Sequence, residues 1–328
     1  MRAWWLNTDD HEACTELRET PLPEPGPRQL LVRVRAAGLN RGELIVGHGA
    51  LPAGGSAPRP AGGEAAGEVV GVGAGVEGWR VGDRVMGRCA GAFAEFALME
   101  SAEAMAVPEG LSYEDAASIP LVFLVTYDML VLQGRLRAGE TLLVTGVSSG
   151  VGVASLQLGK ALGARVIGTS GSQQKLAALA SLGLDLGIAT RAPEFAAWVL
   201  EATDNLGADL AVNTVGGSLF AEALRALAFE GRLAIVGHVD GVLRAELDLE
   251  TLHARRLTVF GVSNKLRNKA QRAAAIPRFV AEVLPLFASG RIRPQIDRVM
   301  DLAQLPEAKA RMEAGAHIGK IVVRMPPA

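Results

Sequence analysis

The stretch from Thr141 to Lys175, TLLVTGVSSGVGVASLQLGKALGARVIGTSGSQQK, predicts a strand, a glycine-rich turn, a helix and a second strand. Thr141 to Thr145 is a short β-branched and apolar run, and Gly146 to Gly152 is small and rich in glycine. Val153 to Leu162 repeats apolar residues at helical spacing, and Arg165 to Thr169 returns to an apolar strand. A strand that enters a helix through such a turn directs the free N–H groups of the helix at the turn, where a pyrophosphate can bind.

The end of the second strand indicates which nucleotide is bound. In dinucleotide-binding folds an acidic residue about 20 residues after the glycines holds the ribose 2′-hydroxyl. Ser170 stands at that position here. Ser170, Ser172 and Lys175 can instead hydrogen-bond to a 2′-phosphate and neutralise it, so the pattern predicts NADPH rather than NADH. The turn alone is weaker evidence, because any parallel α/β protein needs a close strand-to-helix connection.

The run from Gly139 to Lys160 resembles the signature of the zinc-independent quinone oxidoreductases, the zeta-crystallin branch of the medium-chain dehydrogenase/reductases. The positions in register with that signature are Gly139, Glu140, Leu143, Gly150, Gly152, Gln157 and Lys160. Val147 and Ser149 depart from it, and Ser149 occupies the middle glycine of the fingerprint. A serine fits there if its φ is negative and its hydroxyl faces the phosphate. We therefore expect binding to survive with altered geometry at the pyrophosphate.

The resemblance covers essentially the whole chain and implies an α/β fold in two parts. It implies a GroES-like, β-rich catalytic domain over 1–120 and a Rossmann domain with a doubly wound parallel sheet over 121–265. The C-terminal segment, 266–328, is expected to return to the catalytic domain, with a helical stretch from Gln271 to Ala288. The pattern itself agrees, since strands alternate with helical stretches after the junction. GVGAG at 71–75 is rejected as a second phosphate loop because no helical period follows it.

Composition excludes several classes of protein. The chain has 328 residues, and its formal charge of −2 comes without a basic block, so we expect no nucleic-acid partner. Its 2 cysteines are too few for a disulfide framework, which fits a cytoplasmic location. The sequence has no run of 18 apolar residues and its N-terminus lacks an apolar core, so we expect neither a membrane span nor export.

The resemblance also bears on metal and on catalysis. Zinc alcohol dehydrogenases share this architecture and carry a cysteine and the histidine of a Gly-His-Glu triplet where this chain has Asn40 and Gly63. A catalytic tetrahedral zinc is therefore not expected, and the five histidines show no ligand spacing. Asn40 resembles the asparagine beside the nicotinamide, where its amide can orient the carboxamide or donate to the substrate. The alternative is that Asn40 caps the following helix, and Glu43 is interpreted as a surface or loop charge.

The acceptor side of the site is expected to be apolar. Ile45 and Leu51 stand where the family commonly has tyrosines, and Phe93 stands where a tyrosine is frequent. Tyr127 is the hydroxyl-bearing aromatic near the domain junction and is a candidate for a catalytic role beside the nicotinamide. The alternative is that it only packs within its own helix.

The remaining cofactor contacts are expected at the ends of the Rossmann strands, because ligands of doubly wound sheets bind at the carboxyl edge. Arg191 is expected to pair with the 2′-phosphate or cover the adenine, and a solvated surface arginine is the alternative. Lys320, in a closing strand that resembles the family's Gly-Lys-Ile-Val, is expected near the cofactor. The predicted cofactor-binding residues are Ser149, Gly150, Val151, Ser170, Gly171, Ser172, Lys175, Arg191, Asn213, Val215, Gly237, His238, Val262, Asn264 and Lys320.

These observations predict an NADPH-dependent reductase that transfers a hydride, without metal, to a quinone or an α,β-unsaturated carbonyl compound. A zinc-free enoyl reductase acting on acyl thioesters would use the same motifs, and a noncatalytic NADPH-binding protein of crystallin type is a second alternative. A homodimer is expected, since the last Rossmann strand, LTVFGV, would otherwise be an exposed apolar sheet edge.

Overall fold

The computed structural model describes residues 1–8, 13–46 and 56–326, and the chain forms two compact units. Unit 1 comprises Met1–Leu124 and Lys265–Ala328, and unit 2 comprises Val125–Asn264. Unit 1 is rich in antiparallel strands, whereas unit 2 is built around a parallel sheet. The predicted α/β fold class, a GroES-like part and a Rossmann-like part, is thereby confirmed.

The first part of the chain consists mainly of strands. Its elements are β1 (Arg2–Thr8), β2 (Ala13–Glu19), β3 (Gln29–Gly38), α1 (Arg41–Leu44), β4 (Ser56–Pro60), β5 (Glu64–Val72), β6 (Arg84–Ala90), β7 (Phe96–Ala106), α2 (Tyr113–Ala117) and α3 (Pro120–Tyr127). Strand β3 pairs with both β5 and β7, and β1 pairs with β2 and β4. The apolar side chains of β3, such as Leu30, Val32 and Val34, are buried in the core of this unit.

Unit 2 alternates strands and helices around its parallel sheet. After a π-helical turn (Asp128–Gln133), its elements are β8 (Thr141–Thr145), α4 (Gly150–Ala161), β9 (Arg165–Ser170), α5 (Gln173–Leu179), a 3₁₀ turn (Ala180–Leu182), β10 (Leu186–Ala189), α6 (Ala196–Ala202), β11 (Ala208–Asn213), a 3₁₀ turn (Gly217–Leu219), α7 (Phe220–Arg225), β12 (Leu227–Ile235), α8 (Leu249–Ala254) and β13 (Thr258–Gly261). The described strands lie in the order β10-β9-β8-β11-β12-β13. The order reverses beside β8, and a ligand crevice is expected at such a switch point.

The C-terminal part of the chain completes unit 1. Its elements are α9 (Lys269–Ala273), α10 (Ile276–Glu282), α11 (Leu284–Ala288), β14 (Ile296–Asp301), a 3₁₀ turn (Leu302–Gln304), α12 (Leu305–Glu313) and β15 (Lys320–Arg324). Strand β15 pairs antiparallel with the end of β3, where Val322 lies opposite Gly38. The last strand thereby returns to the sheet of the first domain.

The single helical stretch predicted from Gln271 to Ala288 is divided among α9, α10 and α11. Pro277 and Pro285 lie in the first turns of α10 and α11. Proline has no N–H to donate and is tolerated at a helix start but not in its interior, so each proline begins a new helix. No helix in residues 1–8, 13–46 and 56–326 is long and apolar enough to cross a membrane.

Candidate functional site

The glycine-rich turn of unit 2 begins with Gly146, which has a φ of 63°, and leads into α4. Ser149 is the N-cap of this helix, with φ −72° and ψ 168°, and its Oγ accepts a hydrogen bond of 3.0 Å from the N–H of Gly152. The negative φ that a serine needs at this position is therefore present. The hydroxyl oxygen satisfies one free N–H of the helix, and the hydroxyl hydrogen can donate to a phosphate oxygen.

Two glycines allow the turn to pack closely against its helix and the neighbouring strand. A Cβ on Gly152 would lie 2.7 Å from Val147 Cα, which is too close for a side chain. A Cβ on Gly168, in β9, would lie 2.7 Å from Val147 Cβ. The buried valine, which departs from the small residue usual in the family, fits because the adjacent strand has a glycine opposite it.

The segment that follows β9 carries the hydroxyl groups of Ser170 and Ser172, and the Arg191 side chain lies against it. Ser170 Oγ accepts from the N–H of Ser172 at 3.3 Å, and Ser172 is the N-cap of α5, where its Oγ accepts from the N–H of Lys175 at 3.3 Å. The Arg191 side chain crosses Gly171, because a Cβ there would lie 2.6 Å from Arg191 Cγ. The structure thus brings together Ser170, Ser172 and Arg191, three of the four residues predicted to contact the 2′-phosphate.

The later strand ends are shaped by Asn213, which is fully buried. Its Oδ1 accepts hydrogen bonds from the N–H groups of Val215 and Gly216, both at 3.0 Å, and its Nδ2 donates to Gly216 O at 2.8 Å. The Asn213 side chain therefore holds the loop that contains Val215 and Gly216. A cofactor contact at this strand end would have to come from backbone groups around it. Gly237 and His238 lie half-buried after β12, on the neighbouring strand.

The last strand end carries two further predicted contacts. Val262 is buried and follows β13, where its N–H donates to Ile235 O at 3.0 Å. Asn264 is half-buried at the end of unit 2. Gly150 and Val151 are the first two residues of α4, which follows β8. The roles of these residues toward a nucleotide remain predictions.

A buried polar cluster in unit 1 contains Lys320, at the start of β15. Its Nζ donates to Leu39 O at 2.6 Å, to Asn40 Oδ1 at 2.8 Å and to Glu64 Oε1 at 2.7 Å. An ammonium has three N–H donors, so these acceptors use all of them. The three donors of the ammonium are thus engaged within the cluster, and the expectation that Lys320 lies near the cofactor stays a prediction.

Asn40 and Glu64 hold each other in the same cluster. Asn40 Nδ2 donates to Glu64 Oε1 at 2.9 Å, and the second oxygen of the Glu64 carboxylate accepts from the N–H of Leu121 at 2.7 Å. Asn40 does stand at the N-cap of α1, but among the described residues its side chain makes no capping hydrogen bond. Its amide is thus oriented by Glu64 and Lys320 rather than by the helix.

Glu43 adds a second carboxyl beside this cluster. Its Oε2 is removed from solvent and has no hydrogen-bond partner in the part of the chain that the structure describes. Burial raises the pKa of Glu43 to about 7, and the charge of Glu64 acts in the same direction. The carboxyl lies against Gly63, where a Cβ would lie 2.7 Å from Glu43 Cδ. Glu43 lies half-buried in the short helix α1 with one carboxyl oxygen removed from solvent, which the interpretation as a surface or loop charge does not anticipate.

The predicted aromatic and apolar side chains occupy different environments. Tyr127 is fully buried at the end of α3, and both its catalytic role and the alternative that it packs within its own helix stay predictions. Phe93 is fully buried in the core of unit 1, and Ile45 packs against that core. Leu51 lies outside the described residues.

The cluster does not fit a catalytic zinc. Zinc sites in proteins are built from cysteine, histidine and carboxylate ligands. Asn40 and Gly63 occupy the positions of the cysteine and histidine ligands in zinc alcohol dehydrogenases. The Glu64 carboxylate already binds the Lys320 ammonium. The described residues contain no group of three or more His, Cys, Asp or Glu side chains that could hold a metal ion. Cys89 is buried, and burial together with nearby Glu43 raises the pKa of its thiol.

Two protein families match this chain. Residues 26–109 match the alcohol dehydrogenase GroES-like domain, and residues 150–279 match the family described as zinc-binding dehydrogenase. The two matches together span more than half of the chain, each in the unit where its fold is seen. The chain therefore belongs to the medium-chain dehydrogenase/reductase superfamily.

Among curated relatives, the chain is 34% identical over 315 residues to the spectinabilin polyketide synthase system protein NorB of Streptomyces orinoci. That match covers 94% of this chain but 14% of the relative, so the chain corresponds to a small part of that synthase. It is 28% identical over 341 residues to acryloyl-coenzyme A reductase of Metallosphaera sedula, and this match covers 95% of this chain and 97% of the reductase.

Solved structures give the same architecture. A mycobacterial protein in complex with NADPH has a TM-score of 0.86 and 25% identity, with coverage of 99% of this chain and 100% of that chain. A mycobacterial quinone oxidoreductase has a TM-score of 0.83 and 26% identity, with coverage of 99% of both chains.

Proposed function

We propose that this protein is an NADPH-dependent reductase that transfers a hydride to a quinone or to an α,β-unsaturated carbonyl compound, without a catalytic zinc. The observation that carries the proposal is the Lys320 ammonium, held by Leu39, Asn40 and Glu64. All three donors of this ammonium are engaged by oxygens that stand near the position of a zinc ligand. An acceptor without a Lewis acid must itself delocalise the negative charge that hydride arrival creates, and quinones and enones do so.

The described residues of unit 2 fit a phosphorylated dinucleotide. Ser149 and the first N–H groups of α4 would bind the pyrophosphate, since a helix N-terminus favours negative charge. Ser170, Ser172 and Arg191 would bind the 2′-phosphate, where a guanidinium pairs well with phosphate oxygens. NADPH bound here would supply the hydride. The similarity to a mycobacterial structure that contains NADPH supports this assignment.

A second candidate is reduction of an acyl thioester with a conjugated double bond. The observation in its favour is the similarity to acryloyl-coenzyme A reductase along almost the whole length of both chains. The similarity to polyketide synthases points the same way but covers only 14% of NorB. Both candidates deliver a hydride to an acceptor that delocalises the resulting negative charge. They differ in the product, because a quinone becomes a hydroquinone whereas an enoyl thioester becomes a saturated thioester.

Steady-state oxidation of NADPH separates these functions. We would compare 9,10-phenanthrenequinone, crotonyl-CoA and a blank without acceptor, each with NADPH and with NADH. Faster oxidation with the quinone supports the first proposal, and faster oxidation with crotonyl-CoA supports the second. Oxidation no faster than the blank with both acceptors would contradict both and favour a noncatalytic NADPH-binding protein. A lower KM for NADH than for NADPH would contradict the cofactor assignment.

We also propose that the chain forms a homodimer through β13. Among the described strands, β13 pairs with β12 on one side only and lies at the edge of its sheet. Val259 and Phe260 are half-buried there, and an apolar edge of this kind is prone to pairing with another strand. Light scattering at micromolar concentration should give twice the chain mass of 34.3 kDa. A monomeric mass would contradict the proposal, and Phe260→Lys should shift the protein toward monomer.

A further inference from the structure

Gly171, the first residue after β9, lies directly against the side chain of Arg191 in unit 2. A Cβ at position 171 would lie 2.6 Å from Arg191 Cγ and 2.9 Å from Arg191 Cδ, and it would meet Arg191 Nε as well. Cβ atoms in proteins essentially never approach other heavy atoms within 3.0 Å. The stem of Arg191 can therefore lie where it does because residue 171 has no side chain.

The backbone conformation of Gly171 does not itself require a glycine. Its φ lies outside the left-handed region, whereas Gly163 and Gly183, nearby in the chain, have φ values of 85° and 89°. An alanine is compatible with the backbone at 171, since residues with a side chain are strained mainly at positive φ. The feature that calls for a glycine here is the space that the Arg191 side chain occupies.

Packing on Gly171 is what holds the Arg191 side chain in place. Arg191 is exposed, and within the described ranges its side chain forms no hydrogen bond, ion pair or aromatic contact. A long exposed side chain without a partner samples many rotamers, and selecting one of them costs free energy. Contact with the Gly171 backbone restricts these rotamers before a ligand arrives and so lowers the cost of binding one.

The turn against which Arg191 lies carries two hydroxyl groups. Gly171 separates Ser170 from Ser172, and Ser170 Oγ accepts from the N–H of Ser172 at 3.3 Å, so the three residues form a closed turn. Residues 170–175, SGSQQK, contain no acidic side chain that would repel a phosphate or pair with the guanidinium. Two hydroxyls and one guanidinium at the same turn are donors that suit a phosphate group.

We propose that Gly171 is a specificity-determining residue: the space that it leaves holds Arg191 at the turn, where the guanidinium pairs with the 2′-phosphate of NADPH. The inference rests on the proposed cofactor. Gly171 is a positioning residue, because it acts through Arg191 and not through a contact of its own with the phosphate. A methyl group at 171 pushes aside a flexible side chain rather than the backbone, so the expected effect is on NADPH affinity and not on folding.

Isothermal titration of the full chain with adenosine 2′,5′-bisphosphate tests the proposal, with adenosine 5′-monophosphate as the probe that lacks the 2′-phosphate. We expect the native chain to bind the bisphosphate more tightly, and Gly171→Ala to weaken that binding about tenfold without changing the affinity for the monophosphate. Gln174→Ala, which alters an exposed side chain of the same segment, should leave both affinities as they are. A native chain that binds both probes equally would contradict the proposed cofactor and this inference with it. A native preference that survives in Gly171→Ala would overturn this inference alone.

A double variant, Gly171→Ala with Arg191→Gln, tests whether Gly171 acts through Arg191. It should bind the bisphosphate no more weakly than Arg191→Gln alone, because the guanidinium is already gone, and losses that add up would overturn the proposal. The melting temperature of Gly171→Ala should be no lower than that of the native chain, since alanine at a permitted φ restricts the unfolded state. A fall as large as that of Gly168→Ala, whose methyl group would meet the Val147 side chain, would show that the backbone at 171 has moved, and the proposal would fail.

Discussion

The buried carboxyl of Glu43 gives the folded protein a specific dependence on pH. Burial raises the pKa of Glu43 from an ordinary value of 4.5 to about 7, and Glu64 reinforces the rise, while Lys320 and Arg88 oppose it. Between these two pKa values the folded chain holds a proton on Glu43 that the unfolded chain has lost. Stability falls with pH wherever the folded state binds more protons, so this contribution is fully present below about pH 4.5 and is lost as the pH rises through about 7.

The magnitude follows from the size of the shift. One pKa unit corresponds to about 1.4 kcal/mol, so a rise from 4.5 to about 7 corresponds to at most about 3.5 kcal/mol. Glu43→Gln keeps the shape and removes the titration. The stability of the native chain relative to this variant should therefore fall by as much as about 3 kcal/mol between pH 4.5 and pH 8.

Urea unfolding of both proteins at half-unit pH steps measures this difference directly. Glu109→Gln is the control, because Glu109 is exposed and its removal should give a constant difference from the native chain across the range. The reasoning is refuted if the difference between the native chain and Glu43→Gln is flat, or if the native chain gains stability relative to the variant as the pH rises.

Three further substitutions test the contacts of the two candidate sites. Gly168→Ala places a methyl group against the Val147 side chain and should lower the unfolding free energy by about 1–3 kcal/mol, and a second change, Val147→Ala, should restore most of it in thermal melts. Lys320→Met leaves the buried Glu64 carboxylate without its cation and should cost about 3–5 kcal/mol, a loss that adding Glu64→Gln should partly reverse. Arg191→Gln should raise the KM for NADPH about tenfold and leave the KM for NADH nearly unchanged, and equal changes in both would contradict a 2′-phosphate contact.

The fold could be predicted where the sequence carries a local period. The stretch from Thr141 to Thr169 has the strand, turn, helix and strand that its pattern indicates, with β8, α4 and β9 in that order. The stretch from Gln271 to Ala288 shows the limit of this approach. Apolar spacing suggested one helix, yet Pro277 and Pro285 divide it, because a missing N–H outweighs a favourable side-chain pattern.

The polar cluster could be predicted only in part, since its members are distant in sequence. The sequence marks Asn40 and Gly63 as the positions where zinc ligands are absent, but nothing local indicates that Lys320, 280 residues after Asn40, donates to Asn40 and Glu64. The antiparallel pairing of β15 with β3 creates this contact. Burial of Glu43 was missed for the same reason, because a short polar turn such as α1 has no pattern that distinguishes a buried carboxyl from an exposed one.

The geometry of Lys320 constrains what the cluster can do chemically. A zinc ion with an open coordination position can polarise a substrate oxygen directly. The ammonium of Lys320 has its three donors directed at Leu39, Asn40 and Glu64, so it contributes an electrostatic field but has no donor left for a substrate oxygen. A simple ketone, whose reduction places a full charge on one oxygen, would gain little from such a site. A conjugated acceptor needs less help from the protein, and for this reason the buried lysine favours reduction of quinones and enones over reduction of isolated carbonyl groups.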